Sequence, residues 1–339
     1  MNRPLDRPSQ RQAPRPTMTT PCTRRPRIAV VGSLNIDLVL QVRHAPGPGE
    51  TVLADALHLL PGGKGGNQAV ACVRQGAQVQ MFGRIGDDAH GRILRARLDA
   101  DGIDHSGVQT DPNADTGMAA ITVDAAAQNR IVVVPGANGR FMLDTDALRA
   151  SLRQAHCLVM QFEIPLPQVL AAAGQAQAAG CPVLLNPSPM APLPALQALP
   201  GALWPLVDTL VVNEVEAAAL AGSAVATPAD AAVAAQTLCA LGPDRVVVTL
   251  GAAGAVAADA AGCRHHPGQM VAAVDTTAAG DTFLGALAVA LAQQQALDAA
   301  VRQGIRAATL CVLQAGAQPS IPTRAAVAQS PQPPDWIRL

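Results

Sequence analysis

From Arg27 onward, short runs rich in β-branched and aliphatic residues alternate with longer Ala-rich stretches, and this alternation limits the chain more than any other feature of its sequence. The runs are Ile28 to Val31, Leu158 to Gln161, Val183 to Leu185, Thr209 to Val212 and Arg245 to Leu250. The stretches are Gln68 to Gln75, Pro167 to Ala179, Glu214 to Ala221, Ala231 to Leu241, about Gly280 to Gln294 and about Ala296 to Leu313. Strands that are apolar on both faces and followed by helices predict βα units on a mostly parallel sheet covered on both sides. The expected fold is α/β, with three layers, α/β/α. Two places break the order with strand-like runs and no helix between them. These are Leu38 to Val42 with Thr51 to Leu59, and Met118 to Val123 with Arg130 to Val134. They predict a small β lid, about 38–59 and 118–134, standing off the main sheet.

Composition narrows the function. Hydrophobic residues make up 49% of the chain and aromatic ones only 2%, with no Tyr, so the core is aliphatic and a stacking platform for nucleic acid is not expected. Residues 1–26 carry six Arg against Asp6, leaving 18 cations and 24 carboxylates in the rest, so no basic footprint for nucleic acid is expected on the folded part. Those first residues read as a disordered basic tail, 27–325 as one domain and 326–339 as a C-terminal tail. Lys64 is the only lysine and Gly65 follows it, which excludes a Walker A loop. Seven Cys without a Cys-x-x-Cys spacing predict free thiols and a cytoplasmic protein. The longest apolar run, Phe283 to Ala292, is ten residues, short of the ~20 that span a bilayer, so no membrane partner is expected.

Four segments can carry chemistry. Asp275 to Phe283 passes from a strand end through small residues into a helix, and the uncovered N–H groups of such a helix start suit an anion. Asp281 there either caps the helix or serves as a general base where a phosphoryl group arrives. Pro61 to Gln68 holds four Gly within five residues, which is either a plain turn or a backbone kept open for a polar ligand. Asn35 and Asp37, two apart after the first strand, project to one side in extended chain and suit a polyol. Glu163 ends another strand in the same way. Asn213 and Glu216 read by themselves as an N-cap and its capping-box partner. The seven His, His265 and His266 included, show no metal-ligand spacing and read as structural or surface residues.

Taken in order, Gly32 to Asp37, Pro46 to Thr51, Gly62 to Asn67, Gly83 to Asp88, Gly136 to Asn138, Gln161 to Glu163, Asn186-Pro187, Asn213 to Glu216, Thr249 to Gly251, Asp275 to Phe283 and Gly316 to Ser320 resemble the ribokinase-like family of carbohydrate kinases. The resemblance implies ATP-dependent phosphorylation of D-ribose at its 5-hydroxyl, with Asp281 as the base and Ala278, Ala279 and Gly280 as the anion hole. It implies that Asn35, Asp37, Gly63, Lys64, Gly65, Gly66, Asn67 and Glu163 hold the sugar. Asn213 and Glu216 would then work near Mg²⁺ and phosphate, and Thr249, Leu250, Gly251, Ala252, Ala253, Gly254 and Ile305 near the nucleotide. A K⁺ site at Asp275, Thr277, Cys311, Gln314, Gly316 and Ser320, mostly through backbone carbonyls, and a homodimer formed through the lid are further implications. Two positions differ from the family pattern: Ile305 stands where relatives often carry a polar residue beside adenine, and Gly66 replaces an alanine. A kinase acting on 2-deoxyribose, a ketohexose or a nucleoside, and a non-catalytic sugar sensor, are the alternatives.

Overall fold

A computed structural model describes residues 25–125, 129–190 and 203–339, so the expected tail before Arg25 lies outside the described residues. The chain begins with β1 (Arg27–Val31), β2 (Asn35–Val42), β3 (Ala54–Gly62), α1 (Lys64–Arg74), β4 (Gln78–Gly86), α2 (Ala89–Ala100) and β5 (Asp104–Asp111). It continues with β6 (Gly117–Val123), β7 (Asn129–Val134), α3 (Thr145–Leu152), β8 (Cys157–Gln161), α4 (Leu166–Ala179), β9 (Val183–Asn186) and β10 (Thr209–Asn213). Then come α5 (Glu214–Ala221), α6 (Pro228–Cys239), β11 (Arg245–Thr249), β12 (Ala255–Asp259) and β13 (Gly262–His266). The last elements are α7 (Ala279–Ala292), α8 (Leu297–Cys311), α9 (Ala317–Ser320), α10 (Arg324–Gln329) and β14 (Ile337–Arg338).

The main sheet has ten strands in the order β14-β13-β12-β11-β10-β9-β8-β1-β4-β5, parallel from β11 to β5 and antiparallel at the β12-β13-β14 end. Alternate residues of β1 divide between two cores, as the pleat requires. Ile28 and Val30 pack under α1, α7 and α8, whereas Ala29 and Val31 pack under α3, α4 and α6. The three-layer expectation is therefore met. Strands β3-β2-β6-β7 form a separate four-stranded sheet, with β2 antiparallel to β3 and parallel to β6.

The structure departs from the sequence reading at several elements. The glycine segment is not a turn before a helix: α1 starts at Lys64, so Gly65 and Gly66 lie in its first turn. Strands β4, β5, β12 and β13 and helices α2 and α3 have no counterpart in the sequence pattern. Residues 326–339 are not a free tail. Val327 in α10 is buried, and Ile337 pairs with His265 at the sheet edge, because apolar residues there find a face to cover.

Small residues set how closely the layers meet. A Cβ on Gly285 in α7 would sit 3.0 Å from the backbone N of Cys72 in α1 and closer still to Ala71, whereas one on Gly174 in α4 would meet nothing within 4 Å. Helix propensity alone favours Ala over Gly by about 1 kcal/mol. Gly174→Ala should therefore stabilise the fold by roughly 0.5–1 kcal/mol, and Gly285→Ala should destabilise it by about 1–3 kcal/mol through overpacking. Urea denaturation of the two variants beside wild type checks the opposite signs.

Candidate active site

The carboxyl ends of β1, β8, β10 and β11 open toward one edge of the sheet, where loops and helix starts converge. Two helix starts there differ in how their N–H groups are used. At α1 the donors are consumed internally. Lys64 N–H donates to Glu163 Oε2 at 3.0 Å, Gly65 N–H to Ser33 Oγ at 3.3 Å and Gly66 N–H to the Ser33 carbonyl at 2.9 Å. Glu163 Oε2 also accepts from the Ser33 hydroxyl, so this carboxylate serves as the cap of α1. Gly65 and Gly66 are packing residues, since a Cβ on Gly65 would lie 2.6 Å from the Ser33 backbone. Gly63 holds φ +82 while the backbone of Asn35 crosses behind it, a conformation and a space that only glycine supplies.

At α7 the arrangement is the reverse. Ala278, its N-cap, is left-handed at φ 59 and no side chain caps the helix. Among the described residues, the N–H groups of Ala278, Gly280 and Asp281 have no acceptor, while that of Ala279 turns to the Thr276 carbonyl at 3.2 Å. Of the three donors expected at Ala278, Ala279 and Gly280, that of Ala279 is thus engaged, and the N–H of Asp281 stands free beside the other two. A Cβ on Gly280 would point into open space, so nothing in the protein itself demands glycine there. A non-glycine residue in the left-handed region beside uncapped donors is the kind of strain that functional sites hold.

Asp281 is buried, and both its oxygens are gripped: Asn67 Nδ2 donates to Oδ2 at 3.0 Å and Gln68 Nε2 to Oδ1 at 2.9 Å. As a cap it would bond the N–H groups of its own helix, and it does not. Asp37 in β2 is buried as well, and burial, reinforced by the Glu163 and Asp281 carboxylates, raises its pKa to about 7. Burial would pull the Lys64 ammonium down, but the fields of Asp281, Glu163 and Glu216 override it, so the net shift is upward. Asn35 Oδ1 accepts from Asn138 Nδ2 at 2.8 Å. The structure thus gathers Asn35, Asp37, Gly63, Lys64, Asn67, Glu163 and Asp281 into one polar floor.

Beside it lies a cavity of about 260 Å³ lined by Thr249, Gly251, Ala252, Gly254, Ala279, Gly280, Phe283, Ile305, Ala308 and Val312. Leu250 turns into the core, and of the nucleotide residues expected between Thr249 and Gly254 it and Ala253 do not line the cavity. A larger hollow of about 880 Å³ sits at the opposite, amino edge of the sheet around Arg27, Gln78 and Asp104 and contains none of the site residues. Asn213 and Glu216 form the capping box, with Glu216 N–H donating to Asn213 Oδ1 at 2.8 Å and Asn213 N–H to Glu216 Oε2 at 3.0 Å. Asn213 is nonetheless exposed toward the sheet edge, and Asn186 Nδ2 lies 3.5 Å from Glu216 Oε2.

Behind α7, Asp275 Oδ1 accepts from the Thr277 N–H and hydroxyl at 2.8 and 2.6 Å, and Oδ2 from the Gly316 N–H at 2.8 Å. Burial works to raise the Asp275 pKa, but these donors outweigh it and hold the carboxyl below its usual range. Cys311 Sγ lies 3.0 Å from Ser320 Oγ and 3.7 Å from the Thr277 carbonyl. The two loops are thus joined, although Gln314 is exposed. Sequence reasoning assigns no role to Ser33, Gln68, Asn138 or Gln161. Their signal is a buried amide or hydroxyl inside a glycine-rich or strand-end segment.

Residues 25–324 match the model of the pfkB family carbohydrate kinases. The chain belongs to that family. Among curated relatives of this pfkB-family kinase, the ribokinase of Haemophilus influenzae is 39% identical over 298 residues, 88% of this chain and 95% of the relative. The deoxyribokinase of Salmonella typhimurium is 35% identical, covering 87% and 95%. The structure of Arabidopsis thaliana ribokinase complexed with ribose and ATP superposes with a TM-score of 0.81 at 33% identity, covering 90% of this chain and 98% of that one.

The raised pKa of Asp37 makes stability depend on pH with a definite sign. Between the ordinary carboxyl pKa and about 7 the folded state keeps a proton that the unfolded state releases, so wild type loses stability as pH rises through that window. Asp37→Asn removes the effect. Its stability relative to wild type should increase from pH 4 to pH 7 and stay level above, as measured by denaturation across that range.

Proposed function

We propose that this chain transfers the γ-phosphoryl group of ATP to the 5-hydroxyl of D-ribose, giving D-ribose 5-phosphate and ADP. One observation carries the reading: the free, uncapped N–H groups at the start of α7 stand directly beside the buried carboxylate of Asp281, whose own donors come from a different helix. Asp281 takes the acceptor proton as the hydroxyl attacks. The N–H groups of Gly280 and Asp281 receive the charge that builds on the transferred group. Asn35, Asp37, Gly63, Lys64, Asn67 and Glu163 hold the sugar hydroxyls, and the apolar wall of Ile305, Phe283 and Val312 suits a purine ring without aromatic stacking.

Glu216, with the exposed Asn213, fits a divalent ion held largely by water and phosphate, since no cluster of three ligating side chains occurs among the described residues. Mg²⁺ there would neutralise phosphate charge. The side-chain oxygens of Asp275 already accept internal donors, and the Thr277 carbonyl faces only a thiol, so K⁺ fits between the Asp275–Thr277 loop and the Gly316–Ser320 segment through backbone carbonyls. We further infer a homodimer through the lid, supported by the exposed Leu57 and Leu59 of β3 and Ile131 to Val134 of the edge strand β7. The free cysteines are in keeping with a cytoplasmic protein.

Turnover should be measured across D-ribose, 2-deoxyribose, fructose and nucleosides, in potassium and in lithium buffers. D-ribose in potassium should give the highest kcat/KM, and preference for another acceptor, or no turnover at all, overturns the reading. Asp281→Asn should fold normally and lose on the order of 10²- to 10⁴-fold in kcat with acceptor binding little changed. A loss of only a few-fold would return Asp281 to a structural role.

Light scattering should give twice the chain mass, and replacing Val132 and Val134 by Lys should halve it.

A further inference from the structure

We propose that Gln161 is a positioning residue for the base: through Gln68 it fixes which end of the Gln68 amide faces Asp281. Gln161, the last residue of β8, does not touch Asp281. Its Nε2 donates to Gln68 Oε1 at 2.6 Å, and Gln68 Nε2 donates to Asp281 Oδ1 at 2.9 Å. Both glutamine side chains are fully buried, so water cannot substitute for either bond.

A primary amide presents a carbonyl on one side and an NH₂ on the other, and turning it over costs nothing in shape. Against a carboxylate only the NH₂ end is attractive. Gln161 selects that end, because its own donor requires an acceptor and so turns Gln68 Oε1 toward β8. Asn67 Nδ2 holds the other oxygen of Asp281, so the carboxylate plane is fixed between two donors on consecutive residues of α1.

A second observation separates this role from simple packing. Gln161 Oε1 is buried without a partner, tucked where Gly32 lacks a side chain. An apolar residue of the same length would remove this orphan but leave Gln68 Oε1 buried without a donor, so the amide is kept for its donor end. The end of Gln161 that is used is the end that points to Gln68.

The inference rests on Asp281 being the base, and its test uses whichever acceptor the wild-type protein turns over best, so a wrong sugar and a wrong relay give different results. Gln161→Met, Gln68→Met and the double variant are compared with wild type in kcat and acceptor dissociation constant. Gln161→Met should lower kcat roughly tenfold with acceptor affinity within about twofold. Gln68→Met should do at least as much, and the double variant should be no worse than Gln68→Met, since Gln161 acts only through Gln68. A kcat within about twofold of wild type for Gln161→Met, multiplying losses in the double variant, or a loss confined to acceptor affinity overturns the proposal. If Gln161→Met does not fold, an unchanged kcat in Gln68→Met overturns it as well.

Discussion

Two helix starts, α1 at Lys64 and α7 at Ala279, meet across a seam of Gly and Ala, and the carboxylate of Asp281 lies in that seam. Its two hydrogen bonds come from α1, its backbone from α7, and neither helix alone could bury it with both oxygens satisfied. Cys72 Sγ reaches the Gly285 carbonyl at 3.8 Å, which requires that the helices carry little more than hydrogen or methyl groups where they cross. Phe82, Phe141, Phe162 and Trp204 lie in the core on the other face of the sheet, and Phe283 of α7 is the aromatic residue of the core on this one.

The contrast between the helix starts is why the proposed phosphoryl site is assigned to α7 and not to α1. At α1 the macrodipole is answered from within by Glu163 and Ser33, so the positive end is already spent. At α7 it is left unanswered, with a left-handed alanine keeping side chains away from it. The site therefore separates its functions: α1 presents Lys64, Asn67 and Gln68 sideways into the polar floor, and α7 presents backbone donors end-on. Asp281 belongs to both, and on the proposed reading this lets one residue face an acceptor hydroxyl and an arriving phosphoryl group together.

Much of this arrangement is legible in the amino-acid order. The parallel strands are apolar on both faces, so β1, β8, β10 and β11 stand out, and the candidate site gathers in the loops and helix starts at their carboxyl ends. What stays hidden has weaker patterns. Strand β5, Asp104–Asp111, is a polar edge strand with only Val108 and Asp111 buried, and α2 buries just Gly91, Leu94 and Leu98, too narrow a stripe to stand out. The antiparallel strands β12 and β13 contain Ala, Arg and His where a period-two apolar signal would mark them. Residue type and spacing raise Asn35, Asp37 and Asp281 as candidates with structural alternatives, and the family resemblance adds Lys64. They do not single out Gln68 and Gln161, because a buried glutamine is informative only once its partners are known.

The lid belongs to the same floor. Asn138, just after β7, receives the Leu34 N–H at 2.9 Å and donates to the Leu34 carbonyl at 3.0 Å and to Asn35 Oδ1. Asn35 opens β2, Gly62 closes β3 opposite it, and Gly117 opens β6 beside it with no space for a Cβ between Asn35 and Asn138. Every strand of the lid sheet that enters or leaves the main domain therefore passes through one clasp, and Asn35 and Asp37 are part of it. On the proposed reading, in which Asn35 and Asp37 hold the acceptor, whatever orders these two residues also bears on the angle of the sheet they open, so lid position and acceptor contacts are coupled.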